Sequence, residues 1–310
     1  MSKRVAVIGE CMLELQGQAF ESMTQTYGGD TLNTAVYLRR CGLRHGVEVA
    51  YATALGEDTL SQGLLDRWTG QGLDIGLVRR IPGRHPGLYM IQVDERGERS
   101  FHYWRDTAAA KAYFECDSTP LETRANDFDA LYLSGITLAI LPPAGRERLL
   151  ALMERLRGRA TVVFDNNYRP RLWPDAAVAR AAFERAFSLA TIALVTADDH
   201  QALFGLASPA AALAHAQDLS TPEVVIKRGA DATLVRTAED PARWLTAQTQ
   251  RVDKVVDTTA AGDSFAGAYL AKRLSGASAV EAAEYGNRVA ARVIQHHGAI
   301  IPAEVMQDLV

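Results

Sequence analysis

One segment near the C-terminus joins a run of small residues to a carboxylate. Ala260, Ala261 and Gly262 precede Asp263, and an apolar helical pattern begins immediately afterwards. Small residues let the backbone approach a ligand closely, and the free amides and dipole of a helix N-terminus form an anion site. A carboxylate beside a bound phosphate can accept the proton of an attacking alcohol. The segment predicts phosphoryl transfer with Asp263 as base, although the dipole alone would also favour an aspartate there.

Two strand-like segments between residues 87 and 105 carry a second set of candidate groups. The residues between them, 94–98, have the composition of a hairpin loop. With that loop, side-chain alternation places Tyr89 directly across from Tyr103, with Arg105 beyond it. Two phenols and a guanidinium on one face suit a polyhydroxylated anion. Ordinary cross-strand aromatic pairing explains the same residues equally well.

The whole string Asp257–Leu270 closely resembles the C-terminal signature of the ribokinase-like (PfkB) carbohydrate kinases. The resemblance implies that Ala260–Gly262 form an anion hole for the transferring phosphoryl group of ATP. It also implies that Asp263 is the base that activates a sugar hydroxyl. The family's fold is a mostly parallel sheet sandwiched between helices, with a small β-sheet lid. We therefore expect a single ribokinase-like α/β domain over 1–310, with lid strands within 11–30 and 87–105.

The segment at residues 28–33 resembles the family's N-terminal sugar-binding signature. The resemblance implies that Gly29 permits close approach and that Asp30 and Asn33 bind sugar hydroxyls. Thr31 departs from the pattern, because the family usually has glycine, alanine or proline there. The same string also fits a turn into a helix with Thr31 as the N-cap.

Later segments resemble the family's phosphate, metal and nucleotide elements. Asp165–Arg169 resembles a D-x-N-x-R element, which would place Arg169 near the substrate. Thr196–Asp199 stands where the family has N-x-x-E, so Asp199 would act on Mg²⁺ indirectly, through water. The residues that the resemblance assigns to the nucleotide are Asn167, Lys227, Arg228, Gly229, Ala230, Asp231 and Asn287.

The arginines favour a sugar acid as the substrate. A planar guanidinium pairs well with a carboxylate, and both Arg105 and Arg169 are expected at the sugar. A kinase for fructose, ribose or a galactonate-derived sugar acid stays open, as does a sensor without catalysis on the same fold. A nicotinamide oxidoreductase is excluded because no glycine fingerprint follows the first strand.

The elements that must position these residues alternate along the chain, as in a parallel sheet covered on both faces. A further strand near Cys11–Leu15 is expected to pair with the hairpin, because two strands alone are marginally stable. The predicted strands are Arg4–Ile8, Val47–Ala54, Ala130–Leu133, Ala160–Asp165, Ile192–Thr196, Glu223–Lys227 and Thr233–Arg236. The predicted helices are Leu32–Cys41, Asp58–Gln71, Arg146–Arg157, Asp175–Leu189 and Pro209–Leu219, with mostly helical chain from Ala261 onward.

Composition narrows the class of protein. The 310 residues carry 33 Lys and Arg against 37 Asp and Glu, a net charge of -4, which argues against a nucleic-acid partner. Three scattered cysteines favour reduced thiols, and no apolar run approaches the length of a membrane span. We expect a cytoplasmic enzyme with a small-molecule substrate and no membrane partner. An exposed lid sheet predicts a homo-oligomer formed through that sheet.

Overall fold

The computed structural model describes residues 2–18, 20–93 and 99–310. The strands are β1 Lys3–Ile8, β2 Met12–Gly17, β3 Met23–Gly28, β4 Val47–Leu55, β5 Val78–Arg80, β6 Gly87–Val93, β7 Arg99–Trp104, β8 Ala130–Ser134, β9 Thr161–Asp165, β10 Ile192–Thr196, β11 Glu223–Arg228, β12 Asp231–Arg236 and β13 Leu245–Ala247. The helices are α1 Asp30–Gly42, α2 Thr59–Gly70, α3 Pro120–Thr123, α4 Gly135–Ile140, α5 Pro143–Leu156, α6 Ala176–Leu189, α7 Ala197–Phe204, α8 Pro209–Gln217, α9 Ala261–Leu274 and α10 Ala279–Val293.

Nine of the strands in the described residues form one large sheet, in the order β13-β12-β11-β10-β9-β8-β1-β4-β5. The pairs from β5 to β11 are parallel, and β12 and β13 add an antiparallel edge. Short runs of β-branched and apolar residues suit strands that are buried on both faces. The carboxyl ends of parallel strands meet at one edge of the sheet, where open α/β sheets bind ligands.

The sheet separates two apolar layers, as side-chain alternation requires. Along β1, Val5 and Val7 pack on one side with helices α1, α9 and α10. Ala6 and Ile8 pack on the other side with α5 and α6. The predicted mostly parallel sheet sandwiched between helices is confirmed. Among the described helices, none is long and apolar enough to cross a membrane.

A second, four-stranded sheet has the order β3-β2-β6-β7. Strands β2 and β6 pair in parallel, and the two outer pairs are antiparallel. The predicted pairing of the hairpin with the segment after Cys11 is confirmed, as is the register that sets Tyr89 opposite Tyr103. The predicted hairpin loop at 94–98 lies outside the described residues. This small sheet stands over the carboxyl edge of the large one.

A glycine controls how closely α1 and α9 pack. A Cβ added at Gly267 would lie 2.6 Å from the Thr34 carbonyl oxygen and 2.7 Å from the Leu38 nitrogen, both backbone atoms of α1. Gly267→Ala is therefore expected to lower the free energy of unfolding by about 1–3 kcal/mol, since the two helices must move apart. Urea unfolding measures the change.

Gly70→Ala is the matched control for this prediction. Gly70 ends α2, and a Cβ added there meets nothing within 4 Å. The control should therefore leave the urea midpoint unchanged or raise it slightly. Equal midpoints for the two variants would contradict close packing of α1 against α9.

Candidate active site

A cleft between the two sheets holds most of the predicted site residues. Its first part, which we call the aspartate lobe, has a volume of about 480 Å³ and includes Asp30, Asp165, Asp199 and Asp263 in its lining. Its second part, the arginine lobe, has a volume of about 530 Å³. Three arginines are among the residues that line this second lobe: Arg105, Arg169 and Arg171. Asp30 and Arg169 line both lobes, so the two volumes adjoin.

The N-terminus of α9 opens into the aspartate lobe. Ala260 is its N-cap and has a left-handed backbone, φ 60°, which is uncommon for a residue with a Cβ. The Ala261 amide donates to the Thr258 carbonyl at 3.2 Å. The amides of Gly262 and Asp263 have no acceptor among the residues that the structure describes. The helix start can therefore donate two hydrogen bonds to an anion, in line with its dipole.

Asp263 lies beside these free amides and is held by a side chain from α1. Asn33 Nδ2 donates to Asp263 Oδ2 at 2.8 Å. Burial and the nearby Asp30 carboxylate raise the pKa of Asp263 to about 7, because both disfavour its charged form. A carboxyl with a pKa near neutral suits a general base.

Lys227 brings the opposite charge to the same end of the cleft. Its ammonium donates to Asp165 Oδ2 at 2.9 Å, and both side chains are nearly buried. A Cβ added at Gly262 would lie 3.6 Å from the Lys227 nitrogen, so the ammonium is next to the helix start. An anion held by the helix amides would also meet this cation.

A hydrogen bond between the loop after β9 and the start of α1 joins two polar residues that line the cleft. Asn167 Nδ2 donates to Asp30 Oδ2 at 2.7 Å. Asn167 has a φ of 21°, and asparagine tolerates this left-handed region better than most residues. Burial raises the pKa of Asp30. The structure thus joins a residue predicted for the sugar to one predicted for the nucleotide.

The departure at Thr31 is accommodated within the fold. Helix α1 begins at Asp30 with Gly29 as its N-cap, so the alternative with Thr31 as the N-cap is wrong. Thr31 is buried instead, and its hydroxyl lies 3.1 Å from the Tyr51 hydroxyl. A Cβ added at Gly9 would lie 2.1 Å from Thr31 Oγ1. The missing side chain at residue 9 therefore makes room for the threonine.

Arg105 enters the arginine lobe already paired. Its Nη2 donates to a carboxylate oxygen of Glu10, which is only 2% exposed. Burial raises the pKa of Glu10, although the guanidinium opposes this effect. Arg105 Nε and Glu10 Oε1 are buried without partners among the described residues. Arg105 therefore keeps free donors for a ligand, while Glu10 balances its charge.

A row of side chains crosses the small sheet and ends at the cleft. Glu14 lies opposite Tyr89, and Tyr89 lies opposite Tyr103, with ring centroids of the tyrosines 5.8 Å apart. The Tyr89 hydroxyl donates to Glu14, which also accepts from Thr26 Oγ1 at 3.0 Å. Because its proton faces Glu14, the Tyr89 oxygen is left to accept a hydrogen bond from a ligand hydroxyl.

Removing the acceptor on Glu14 should therefore weaken binding of a hydroxylated ligand. For Glu14→Leu we expect KM for the sugar to rise about 2- to 10-fold, with kcat within about twofold of wild type, because one hydrogen bond no longer orients Tyr89. Initial-rate kinetics measure both constants. Glu14→Gln keeps an acceptor and should show a smaller rise. Equal KM values for wild type and Glu14→Leu would contradict the positioning role.

Arg169 and the acidic residues after β10 meet across the cleft. Arg169 Nη1 lies 3.3 Å from Asp199 Oδ2. Burial raises the pKa of Asp199, and Arg169 opposes this. No group of three acidic, histidine or cysteine residues in the described chain forms a metal cluster. Asp199 lines the cleft, as predicted, and its carboxylate forms an ion pair with Arg169.

The predicted nucleotide residues beyond Lys227 lie outside both lobes. Arg228 donates to the Ala232 carbonyl, Gly229 and Ala230 form the turn between β11 and β12, and Asp231 begins β12. Asn287 is buried; it accepts from Thr233 Oγ1 at 3.0 Å and donates to the Gln248 carbonyl at 3.0 Å. The structure does not bring Asn287 into the cleft, and its role toward adenine stays a prediction.

Among the residues in these contacts, several had no role assigned from sequence: Glu10, Asp165 and Arg171 in the cleft, and Glu14 beside it. Glu10 lies two residues after the end of β1, and Asp165 ends β9, so both stand at the carboxyl edge where ligands bind. That position is a signal that could have found them. Glu14 and Arg171 carry no comparable signal.

Comparison with known proteins agrees with this geometry. Residues 2–306 match the family model described as pfkB family carbohydrate kinase. The chain is 47% identical to 2-dehydro-3-deoxygluconokinase of Escherichia coli strain K12, covering 99% of each chain. It is 44% identical to the enzyme of that name from Dickeya dadantii, covering 98% of this chain and 99% of the other.

Solved structures show the same fold. Aminoimidazole riboside kinase from Salmonella enterica, complexed with aminoimidazole riboside and an ATP analogue, has a TM-score of 0.80 at 28% identity, covering 99% of this chain and 100% of the other. Fructokinase from Xylella fastidiosa with bound ATP has a TM-score of 0.83 at 23% identity, covering 100% and 98%. The fold is that of the ribokinase-like kinases. The chain belongs to the pfkB family of carbohydrate kinases.

Proposed function

We propose that this protein transfers the γ-phosphoryl group of ATP to the 6-hydroxyl of 2-keto-3-deoxygluconate, also called 2-dehydro-3-deoxygluconate, to give 2-keto-3-deoxy-6-phosphogluconate. The observation that carries the proposal is the placement of Asp263. Its carboxyl lies beside free helix amides and Lys227, and the adjoining lobe is lined by arginines. The relatives named 2-dehydro-3-deoxygluconokinase support this substrate.

In the proposed reaction Asp263 accepts the proton of the 6-hydroxyl as that oxygen forms a bond to the γ-phosphorus. The bond between the γ-phosphorus and the oxygen bridging to ADP breaks, and the electron pair leaves with ADP. The amides of Gly262 and Asp263 and the Lys227 ammonium stabilise the charge on the transferring group. Asn33 keeps the base oriented by its hydrogen bond.

The acidic residues of the aspartate lobe fit Mg²⁺ bound mainly through water and phosphate. Mg²⁺ favours oxygen ligands and retains waters, and the carboxylates here are already held by Lys227 and Arg169. We propose that Asp199 and Asp165 would hold the ion indirectly. When bound, it would neutralise charge on the ATP phosphates.

The sugar acid would lie between the two lobes. Tyr89 would accept from a sugar hydroxyl, Asp30 and Asn33 would bind further hydroxyls, and Arg105 and Arg169 would face the carboxylate. The small sheet would act as a lid that excludes water from the transferred group.

A coupled ADP-release assay with purified protein and Mg-ATP tests this function. We expect the highest kcat/KM for 2-keto-3-deoxygluconate among gluconate-derived, galactonate-derived and hexose substrates. Higher kcat/KM for fructose or ribose would replace the sugar-acid assignment. Sugar binding with no turnover of any substrate would favour a sensor on the same fold.

We also propose a homo-oligomer formed through the small sheet, in a reducing, cytoplasmic setting. Trp104 of β7 is 57% exposed, and its neighbour Met90 on the same face is only partly buried. All three cysteines are unpaired. Sedimentation velocity checks the oligomer, which a monomer at micromolar concentration would contradict.

A further inference from the structure

The cations that line the cleft differ in whether a carboxylate balances them. Lys227 pairs with Asp165, and Arg169 pairs with Asp199. Arg105 pairs with Glu10. These three cations therefore add little net charge for a ligand, because each stands against a carboxylate of its own.

Arg171 is the exception among the cleft arginines. It lines the arginine lobe and makes no ion pair or hydrogen bond with any residue that the structure describes. The carboxylates of this lobe are engaged elsewhere. Glu10 binds Arg105, Asp30 binds Asn167, and Asp106 lies 3.9 Å from Lys111. Arg171 is thus the one arginine of this lobe that has no carboxylate partner among the described residues.

The backbone that carries Arg171 is fixed on both sides. Tyr168 and Trp173 are buried, and each ring lies 5.8 Å from the ring of Phe183. Between them Pro170 begins a short 3₁₀ turn, and its ring restricts φ. The Trp173 ring also lies under the Arg146 guanidinium, 4.5 Å away. A side chain between two such anchors needs little ordering of the backbone to bind a ligand.

We propose that Arg171 is a specificity-determining residue, whose unpaired positive charge selects a sugar acid over a neutral sugar; this rests on the proposed function. Arg105 contributes hydrogen-bond donors to the ligand, while the carboxylate of Glu10 balances the charge of its guanidinium. Arg171 contributes the electrostatic attraction for the carboxylate of the sugar acid. Its side chain is exposed at the rim of the lobe, where it meets an approaching anion.

The test compares the sugar acid with 3-deoxyfructose, which has a CH₂OH group in place of the carboxylate. For Arg171→Met we expect the ratio of kcat/KM for 2-keto-3-deoxygluconate to kcat/KM for 3-deoxyfructose to fall about tenfold, through KM for the acid. Arg171→Lys keeps the charge and should retain most of the ratio. Added salt should lower kcat/KM for the acid more steeply in wild type than in Arg171→Met.

Arg157→Met is the matched control, because Arg157 is an exposed arginine that follows α5, at the amino end of β9 and away from the cleft. The ratio of kcat/KM for the sugar acid to kcat/KM for 3-deoxyfructose should be the same in this variant as in wild type. An unchanged ratio in Arg171→Met, with wild type active on the acid, would overturn the role of Arg171 alone. Wild type inactive on the acid would overturn the proposed function and this inference with it.

Discussion

Asp263→Asn is expected to lower kcat by about 10²–10⁴-fold, because the amide cannot accept the proton of the attacking hydroxyl. The substitution keeps the size of the side chain and an oxygen for the Asn33 hydrogen bond, so the fold should persist. Steady-state ADP release measures the loss. Near-normal turnover would remove Asp263 as the base.

Asp66→Asn is the matched control for the loss of a carboxylate. Asp66 is exposed on α2 and accepts from the Gln62 side chain at 2.9 Å. This variant should keep the kcat and urea midpoint of wild type. A comparable loss in the control would show that the assay reports stability rather than chemistry.

The pH profile gives an independent measure of the same group. As the proposed base, Asp263 would act only after it loses its proton, and its pKa is raised to about 7. Activity should therefore rise as pH increases through neutrality and fall as the carboxyl is protonated below it. The inflection should be absent from the residual activity of Asp263→Asn. A profile of wild type that is flat from pH 6 to 8 would contradict the raised pKa.

Arg105→Ala is expected to lower kcat/KM for the sugar acid roughly 30- to 4,000-fold. This corresponds to a loss of about 2–5 kcal/mol of transition-state stabilisation. The loss should appear mainly as a higher KM, because Arg105 is proposed to bind the substrate in both the ground state and the transition state. Initial rates over a wide range of sugar-acid concentration measure it. An unchanged KM would remove Arg105 from the sugar site.

Glu10, the buried partner of Arg105, complicates the interpretation of Arg105→Ala, and a double variant serves as the control. Removing the guanidinium leaves Glu10 buried without its cation, which destabilises the protein. The double variant Glu10→Gln with Arg105→Ala removes both charges. It should recover part of the lost free energy of unfolding without restoring the KM for the sugar acid. Recovery of KM in the double variant would assign the defect to Glu10.

Much of the fold could be predicted because local pattern and tertiary structure agree. The strand at Ile192–Thr196 has the predicted bounds, and the other central strands differ by a few residues. Strand β3 had no predicted bounds, since its polar sequence lies at the edge of the small sheet and buries little. Helix α7 was also missed, because Asp198, Asp199 and His200 at its start obscure the apolar period.

The active site was only partly predictable, for a different reason. Asp263, Lys227 and the opposed tyrosines follow from motifs and strand alternation within short segments. The ion pairs join residues far apart in the chain: Glu10 and Arg105 are 95 positions apart, and Asp165 and Lys227 are 62 apart. Their meeting depends on the order of strands in the sheet, which a local pattern does not contain. The charge balance of the cleft therefore required the structure.

The contact between Thr31 and Gly9 constrains which sequences this fold can reach. A chain that gained a side chain at position 9 would place a carbon 2.1 Å from the threonine oxygen, inside any tolerable separation. Such a chain would first have to exchange the threonine for glycine, because the Cβ of Thr31 would itself lie 2.8 Å from the added carbon. Mutational history at the two positions is therefore ordered: residue 31 must lose its side chain before residue 9, just after the first strand, can gain one.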